Sequence, residues 1–371
     1  MPVRQVQPDD KRERKRFVAL ESELMAAEPL FVPETAADVD KRLRGDSPFY
    51  EEMDNALFIA SSDEADTARC SAFVNRRWQR DNDERAGFIG YFAAAPRANA
   101  EVAEMLSAAE CWLAERQADR VIAPMSGATM LGFGVLTDAF DEEPPFPFQW
   151  QPPYYAGMLG AAGYRPTYPF WLFDVEFSSE RYKTVSTKAL EDARCDIRPL
   201  DKKRWDDEIE ALRLVFNETF RTEWEFHELT SEEFHDSFDD LKPVLDPQQF
   251  LFAEVDGEVA GFCFGFPDWT PLFRSFKGKM GPLQIVRMLL RAKRYDRAGL
   301  IAIGVRDSHR GGHIGQTLAA TLYRRYEELE LGSALYYPVN DHNLASRRLA
   351  ESFGGEGRIL YHCYDKVLGQ A

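Results

Sequence analysis

The chain has 371 residues, 44% hydrophobic and 29% charged, which suits two or three domains of an ordinary globular protein. Its 62 Asp and Glu against 45 Lys and Arg leave a net charge of −17, which argues against a nucleic-acid partner and against anionic membrane surfaces. No run approaches the roughly 18–20 apolar residues of a membrane span, and the first thirty residues are too charged for a secretory leader, so a cytoplasmic protein with five reduced cysteines and no metal site is expected.

A short strand (Val3 to Val6) and a charged helix (Asp10 to Ala27) precede three strand-like runs, Ala56 to Ser61, Arg69 to Trp78 and Gly87 to Ala94. Their short connections predict an antiparallel meander. A helix over Glu101 to Gln117, with Val102, Met105, Leu106, Ala109 and Leu113 at helical spacing, and a buried strand at Arg120 to Pro124 read as a parallel βαβ step. A Pro-rich aromatic stretch from Glu142 leads to a helix over Tyr155 to Ala162 and a strand at Tyr168 to Phe177. The polar stretch 179–194 lacks an apolar period and is expected to link a first domain, 1–178, to a second, 195–371.

The second domain repeats the order. A strand at Asp196 to Leu200 is followed by helices at Trp205 to Phe220 and Glu232 to Leu241, and by a hairpin of Phe250 to Val255 with Val259 to Phe266. Then come a strand at Leu300 to Val305, a helix at Gly315 to Leu329, a strand at Ala334 to Tyr337, a helix at Leu344 to Phe353 and a strand at Ile359 to Lys366. The chain reads as two copies of one mixed-sheet α/β architecture, with one face of each copy buried against the other.

The most informative stretch is Ile301 to Gly315, IAIGVRDSHRGGHIG, where an apolar strand turns through glycines into a helix. Free N–H groups at a helix start, the positive end of its dipole and close backbone access make an anion site, and Arg310 adds donors at its entrance. Downstream, Asn343 stands where it would cap a helix running through Ser346 and Leu349. In the first half the corresponding loop, Ala93 to Asn99 (AAAPRAN), has no glycine and only Arg97 as a phosphate donor.

These two segments resemble the GNAT superfamily of acyl-CoA-dependent N-acyltransferases, with Val305, Arg310, Gly311, Ile314 and Gly315 on its diphosphate loop and Asn343, Ser346 and Leu349 on its second signature. The whole chain also resembles bacterial proteins with two fused GNAT-like domains, through Asn75-Arg76-Arg77, Gly90-Tyr91-Phe92, Pro152-Pro153-Tyr154-Tyr155 and Ala161-Ala162-Gly163-Tyr164. The resemblance implies acetyl-CoA, or another acyl-CoA, as cosubstrate, held by Ile303, Gly304, Val305, Arg310, Gly311, Gly312, His313, Ile314, Gly315, Gln316, Asn343 and Ser346. It also implies transfer to a small-molecule or peptide amine, simplest as N-acetyl transfer. Two positions depart from the pattern. His313 replaces the middle glycine and could assist or hinder phosphate binding; Ala350 replaces the tyrosine that protonates the leaving thiolate. A non-catalytic acyl-CoA-binding or scaffold protein is therefore the alternative.

Amine attack on a thioester needs a base, an oxyanion donor and an acid. The base candidates are His227, with the neighbouring Trp224 to Glu228, and Asp268; the oxyanion donor is expected around Gly304 to Arg306; Tyr361, or His362 or Tyr364 on the other face of the last strand, is the candidate acid. The basic insertion 271–297 holds eight basic residues and one acid, with a predicted helix over Leu283 to Lys293. It reads as a lid over the coenzyme's phosphates, a dock for an acidic partner or a solvated helix.

Overall fold

The computed structural model describes residues 3–63, 65–224, 226–291 and 295–369. The first half contains strands β1 (Val3–Val6), β2 (Met53–Ser61), β3 (Asp66–Asn75), β4 (Ala86–Ala94), β5 (Arg120–Ala123), β6 (Val135–Leu136) and β7 (Arg165–Glu176). Its helices are α1 (Lys11–Leu24), α2 (Ala36–Leu43), α3 (Arg76–Asn82), α4 (Asn99–Ala114) and α5 (Tyr154–Ala161). The second half supplies α6 (Glu180–Glu191), β8 (Asp196–Pro199), α7 (Trp205–Phe220), α8 (Ser231–Phe238), β9 (Phe250–Val255), β10 (Glu258–Pro267), α9 (Thr270–Phe276) and α10 (Pro282–Arg291). It ends with β11 (Ala298–Val305), α11 (Ile314–Glu328), β12 (Ser333–Asn340), α12 (Leu344–Ser352) and β13 (Glu356–Val367).

The strands form one mixed sheet in the order β1-β2-β3-β4-β5-β13-β7-β12-β11-β10-β9-β8, with β6 beside β13. Read inward from either edge, each half lays down five strands in sequence and then accepts the last strand of the other half. Thus β13 pairs with β5 through Tyr364↔Ala123 to Val367↔Arg120, and β7 pairs with β12 through Ser333↔Glu176 to Asn340↔Phe170. The sequential boundary at 178 therefore does not divide the sheet, because β7 and β13 are exchanged.

Packing follows the same plan. One apolar core joins both halves on one side of the sheet and includes Phe17 of α1, Leu212 of α7 and Tyr361 of β13. Each half has a further core under its own long helix, α4 in the first and α11 in the second.

The stretch expected to be a linker contains α6. Ser179 caps it, accepting from Tyr182 N at 3.2 Å, and Tyr182, Ser186 and Ala189 form its buried face. The helix is docked on α11 by Tyr182 Oη donating to Glu327 (2.7 Å) and Thr317 Oγ1 donating to Ala189 O (3.1 Å). Its apolar period is weak because one buried position is Ser and another Ala. The strand read as Arg69 to Trp78 stops at Asn75, whose side chain accepts from Trp78 N at 3.0 Å and starts α3.

Candidate functional site

Strands β11 and β12 run parallel but pair at only two positions, Gly299↔Leu335 and Leu300↔Tyr336. Beyond them β11 stays bonded to β10 as far as Gly261↔Val305, while β12 stays with β7 as far as Asn340↔Phe170. The two strands thus part toward their carboxyl ends. A crevice at that end of parallel strands is a favoured ligand position.

At its rim, β11 passes through residues 306–313 into α11. Arg306 is clamped by its Nε donating to Val259 O (2.7 Å) and by Glu218, which also accepts from Asp307 N at 3.0 Å. Gly311 and His313 have positive φ, 83° and 60°. His313 is the N-cap residue of α11, yet its side chain leaves the first-turn N–H groups uncapped and instead pairs Nδ1 with Gln316 Oε1 at 2.9 Å. It thus occupies the left-handed conformation that a glycine would supply, with its ring turned to Gln316. A Cβ on Gly315 would meet only Val305 Cγ2, at 4.0 Å, so the space before the helix start is open. Arg310 stands 3.0 Å from Asp307 across the loop. This cradle suits a diphosphate.

The opposite wall is β12 with α12. Asn343 Oδ1 accepts from Ser346 N (2.9 Å), and Ser346 Oγ accepts from Tyr336 Oη (2.9 Å). Glu223 lies half-buried in the loop after α7. Burial raises its carboxyl above the usual glutamate range, against the opposing pull of Asn343 and Arg310. Its neighbour Trp224 packs at a tilt on Tyr168 with ring centroids 4.1 Å apart and lies 5.2 Å from Phe170, so strand β7 of the first half lines the same region. Thr219 Oγ1, Trp224 Nε1 and Asn340 Nδ2 are buried without a protein partner. Because a buried donor is seldom left unpaired, three such groups around one crevice mark it as a place for a polar ligand.

The corresponding place in the first half is filled. There β4 and β5 pair through Phe88↔Ile122, and Met125 N then donates to Ile89 O at 2.8 Å. A Cβ on Gly90 would strike Ser126 Cα at 2.5 Å. The end of β4 is sealed by Tyr155 Oη, which accepts from Ala94 N, and Tyr154 Oη, which donates to Ala94 O, both at 3.1 Å.

The three catalytic candidates named from sequence lie elsewhere. Asp268 is buried and committed: it accepts from Phe146 N (3.2 Å), Thr270 N (3.1 Å), Thr270 Oγ1 (2.6 Å) and Arg297 (2.5 Å), bracing the start of β11 rather than its carboxyl end. Tyr361 is in the shared core, 1% exposed, and donates to Gln149 O at 2.8 Å. His227 is buried against α3, flanked by Asn82 Nδ2 donating to Phe226 O (3.0 Å) and Glu228 N donating to Asp81 (3.1 Å). Glu225, its neighbour among the candidates, lies outside the described residues. On the far face of β13, His362 Nδ1 is 2.8 Å from Thr137 Oγ1, and burial lowers its pKa against the pull of Asp341. Glu223 and Tyr336 were missed because no local pattern joins them to Asn343 and Ser346.

His227 instead carries a pH dependence of stability. Burial first, and then Arg77, push its pKa down to about 4 against the pull of Asp81. The unfolded chain takes up this proton near pH 6.5, so between 6.5 and 4 the unfolded state binds more protons and stability falls as pH falls. Between pH 7 and 4.5 the wild type is expected to lose about 2–3 kcal/mol more than His227→Phe, measured by urea unfolding at the two pH values. Equal losses would contradict this account of the buried imidazole.

Known proteins resemble this chain in sequence and in fold. The model of the acetyltransferase (GNAT) family matches residues 209–354, which include both the loop and Asn343. Over nearly the whole chain the protein is similar to one from Caulobacter vibrioides named bacterial ceramide synthase, 26% identical over 371 residues and covering 96% of this chain and 95% of the relative. It is 23% identical over 374 residues to protein YghO of Escherichia coli, covering 97% and 94%. Among solved structures, a tandem GNAT protein from the clavulanic acid biosynthesis pathway shares the fold, with a TM-score of 0.56 at 12% identity over 100% of this chain and 99% of that one.

Proposed function

The chain belongs to the GNAT superfamily and carries two fused GNAT-like units, and from that premise we propose that it is an acyl-CoA-dependent N-acyltransferase with one active site, in the crevice between β11 and β12. The observation that carries this reading is the parting of β11 and β12 beside an uncapped helix start and a half-buried carboxylate. The coenzyme's diphosphate takes the N–H groups of His313 to Gln316 with Arg310 at the entrance, and its pantetheine arm follows Asn343 and Ser346 into the crevice. The backbone N–H of Ile303 or Val305, on the β12 side of β11 beyond the last β11–β12 pair, stabilises the oxyanion. Glu223 accepts the proton of the attacking amine. The Tyr336–Ser346 hydroxyl pair stands in for the acid that Ala350 cannot be.

The name of the Caulobacter relative favours a long-chain amino alcohol as acceptor, and an acyl group longer than acetyl. The aromatic wall of Trp224, Tyr168, Phe170 and Phe133 suits an apolar chain.

Glu223→Gln tests the assignment. General-base catalysis contributes roughly 10²–10⁴-fold, so kcat/KM with a long-chain amine and acyl-CoA is expected to fall by about that factor while coenzyme affinity stays within severalfold. The raised carboxyl pKa places the acidic limb of the wild-type pH profile above the usual glutamate range, and the variant loses that limb. Unchanged kcat/KM would remove Glu223 from the chemistry. Calorimetry is expected to give one acyl-CoA per chain; two would show that the first half binds as well, and binding without turnover across an amine panel would favour a scaffold role.

A further inference from the structure

Helix α10 faces the opposite way from the usual surface helix. It contributes no buried residue, and Leu283, Ile285, Val286, Leu289 and Leu290 are 67, 49, 51, 51 and 73% exposed. These are five of the nine large apolar side chains exposed among the described residues, gathered within eight positions. At 100° per residue they fill one continuous arc, and Gln284, Arg287 and Arg291 fill the other. The polar arc is the one held to the protein. Arg287 lies over the Phe276 ring at 5.5 Å and Met288, at the edge of the apolar arc, packs on the shared core, while Gln284 Oε1 accepts from Gly281 N (3.2 Å) at the helix's own start. Exposed Lys277 and Lys279 precede the helix, within a segment of eight basic residues and one acid in an otherwise acidic chain.

We propose that α10 docks the protein on an anionic lipid bilayer, its apolar arc lying in the boundary between headgroups and acyl chains and its flanking cations on the headgroups. Apolar side chains rimmed by Lys and Arg complement that surface and no other as well. A stable protein–protein interface engages about 20–30 residues a side, and five side chains fall far short. A two-fold contact with a second copy would set one strongly basic segment against another.

The net charge of −17 disfavoured membranes only as an average over an uneven chain. No helix of the described residues is long and apolar enough to cross a membrane, and ten residues rise only about 15 Å, half of a bilayer core. The helix lies on the surface. Its segment is anchored at the start of β11 by Arg297 on Asp268, whereas the phosphate loop leaves from the other end of that strand. Eight strand residues span about 25 Å, so a lid over the phosphates is not the role of this insertion, and a docked molecule keeps its loop open to solution. Residues 292–294, which include Lys293 and Arg294 of the predicted helix, lie outside the described residues.

The full chain is mixed with sucrose-loaded vesicles of phosphatidylcholine, with or without about one third phosphatidylglycerol, and sedimented at about 0.1 M and 0.5 M salt. Sedimentation with the anionic vesicles at low salt is expected, reduced severalfold at high salt and on vesicles without phosphatidylglycerol. The double substitution Leu283→Ser, Leu290→Ser is expected to lower vesicle affinity more than tenfold while leaving thermal unfolding unchanged, since both side chains are exposed. Wild-type protein left in the supernatant with anionic vesicles, or a double variant that sediments like wild type, would overturn the proposal. So would a concentration-dependent dimer in vesicle-free ultracentrifugation that the same substitutions abolish.

Discussion

Gly315→Asp is expected to lower acyl-CoA affinity by two to three powers of ten without destabilising the protein. Gly315 is the second residue of α11, and its added Cβ would point into open space beside Val305. Nothing in the folded chain need move. A carboxylate in the first turn complements the helix dipole, worth about 0.3–1 kcal/mol, and replacing a helical glycine gains a few tenths more. The melting temperature should hold or rise slightly.

The same carboxylate occupies the point on which the free N–H groups converge. A unit charge about 4–5 Å from a phosphate, at an effective dielectric of about 20, costs about 3–4 kcal/mol, which is the predicted loss of affinity. Gly315→Asn, equal in size but neutral, separates charge from bulk and should lose about tenfold or less. Titration calorimetry with acetyl-CoA and a long-chain acyl-CoA, with unfolding curves of the three proteins, measures both sides. An Asp variant that binds like wild type would show that the diphosphate does not lie at this helix start.

How much of this was legible in the sequence depended on the range of the interactions. The loop from Arg310 to Gly315 and the Asn343 cap are local devices: positive φ, a free helix start and a side chain bonded three residues on all leave a mark in consecutive residues. The strand patterns were legible for the same reason, since alternation depends on the faces of a strand and not on its neighbours. Partnership was not. The sequence of β13 reads the same whether it closes its own half or crosses to β5, and only the register Tyr364↔Ala123 distinguishes the two.

Titratable residues misled where a partner distant in sequence absorbed them. Asp268 is spent on Phe146, Thr270 and Arg297, and Tyr361 on Gln149. Conversely, Glu223 looked ordinary because Asn343, which pulls on its carboxyl, lies 120 residues away.

The exchanged strands make folding of the two halves interdependent. Residues 1–178 expressed alone are expected not to form a stable monomer, and neither are residues 179–371. Without β13 the first half presents unpaired edges at β5 and β7 in mid-sheet and loses Ile359, Tyr361, Cys363 and Tyr364 from the cores. At about 1.5–3 kcal/mol for each large buried side chain, that loss is on the order of 5–10 kcal/mol, comparable with the whole stability of a domain. The second half without β7 has β12 as an open edge and lacks Phe173 and Val175 over its core. Co-expression should restore a stable 1:1 complex, because each piece carries the strand that the other lacks. The intact chain should unfold in one transition, detected alike by tryptophan fluorescence and circular dichroism. A monomeric 1–178 fragment with its own cooperative transition would show that the first half closes its sheet without β13, and two separate transitions in the intact protein would say the same of both.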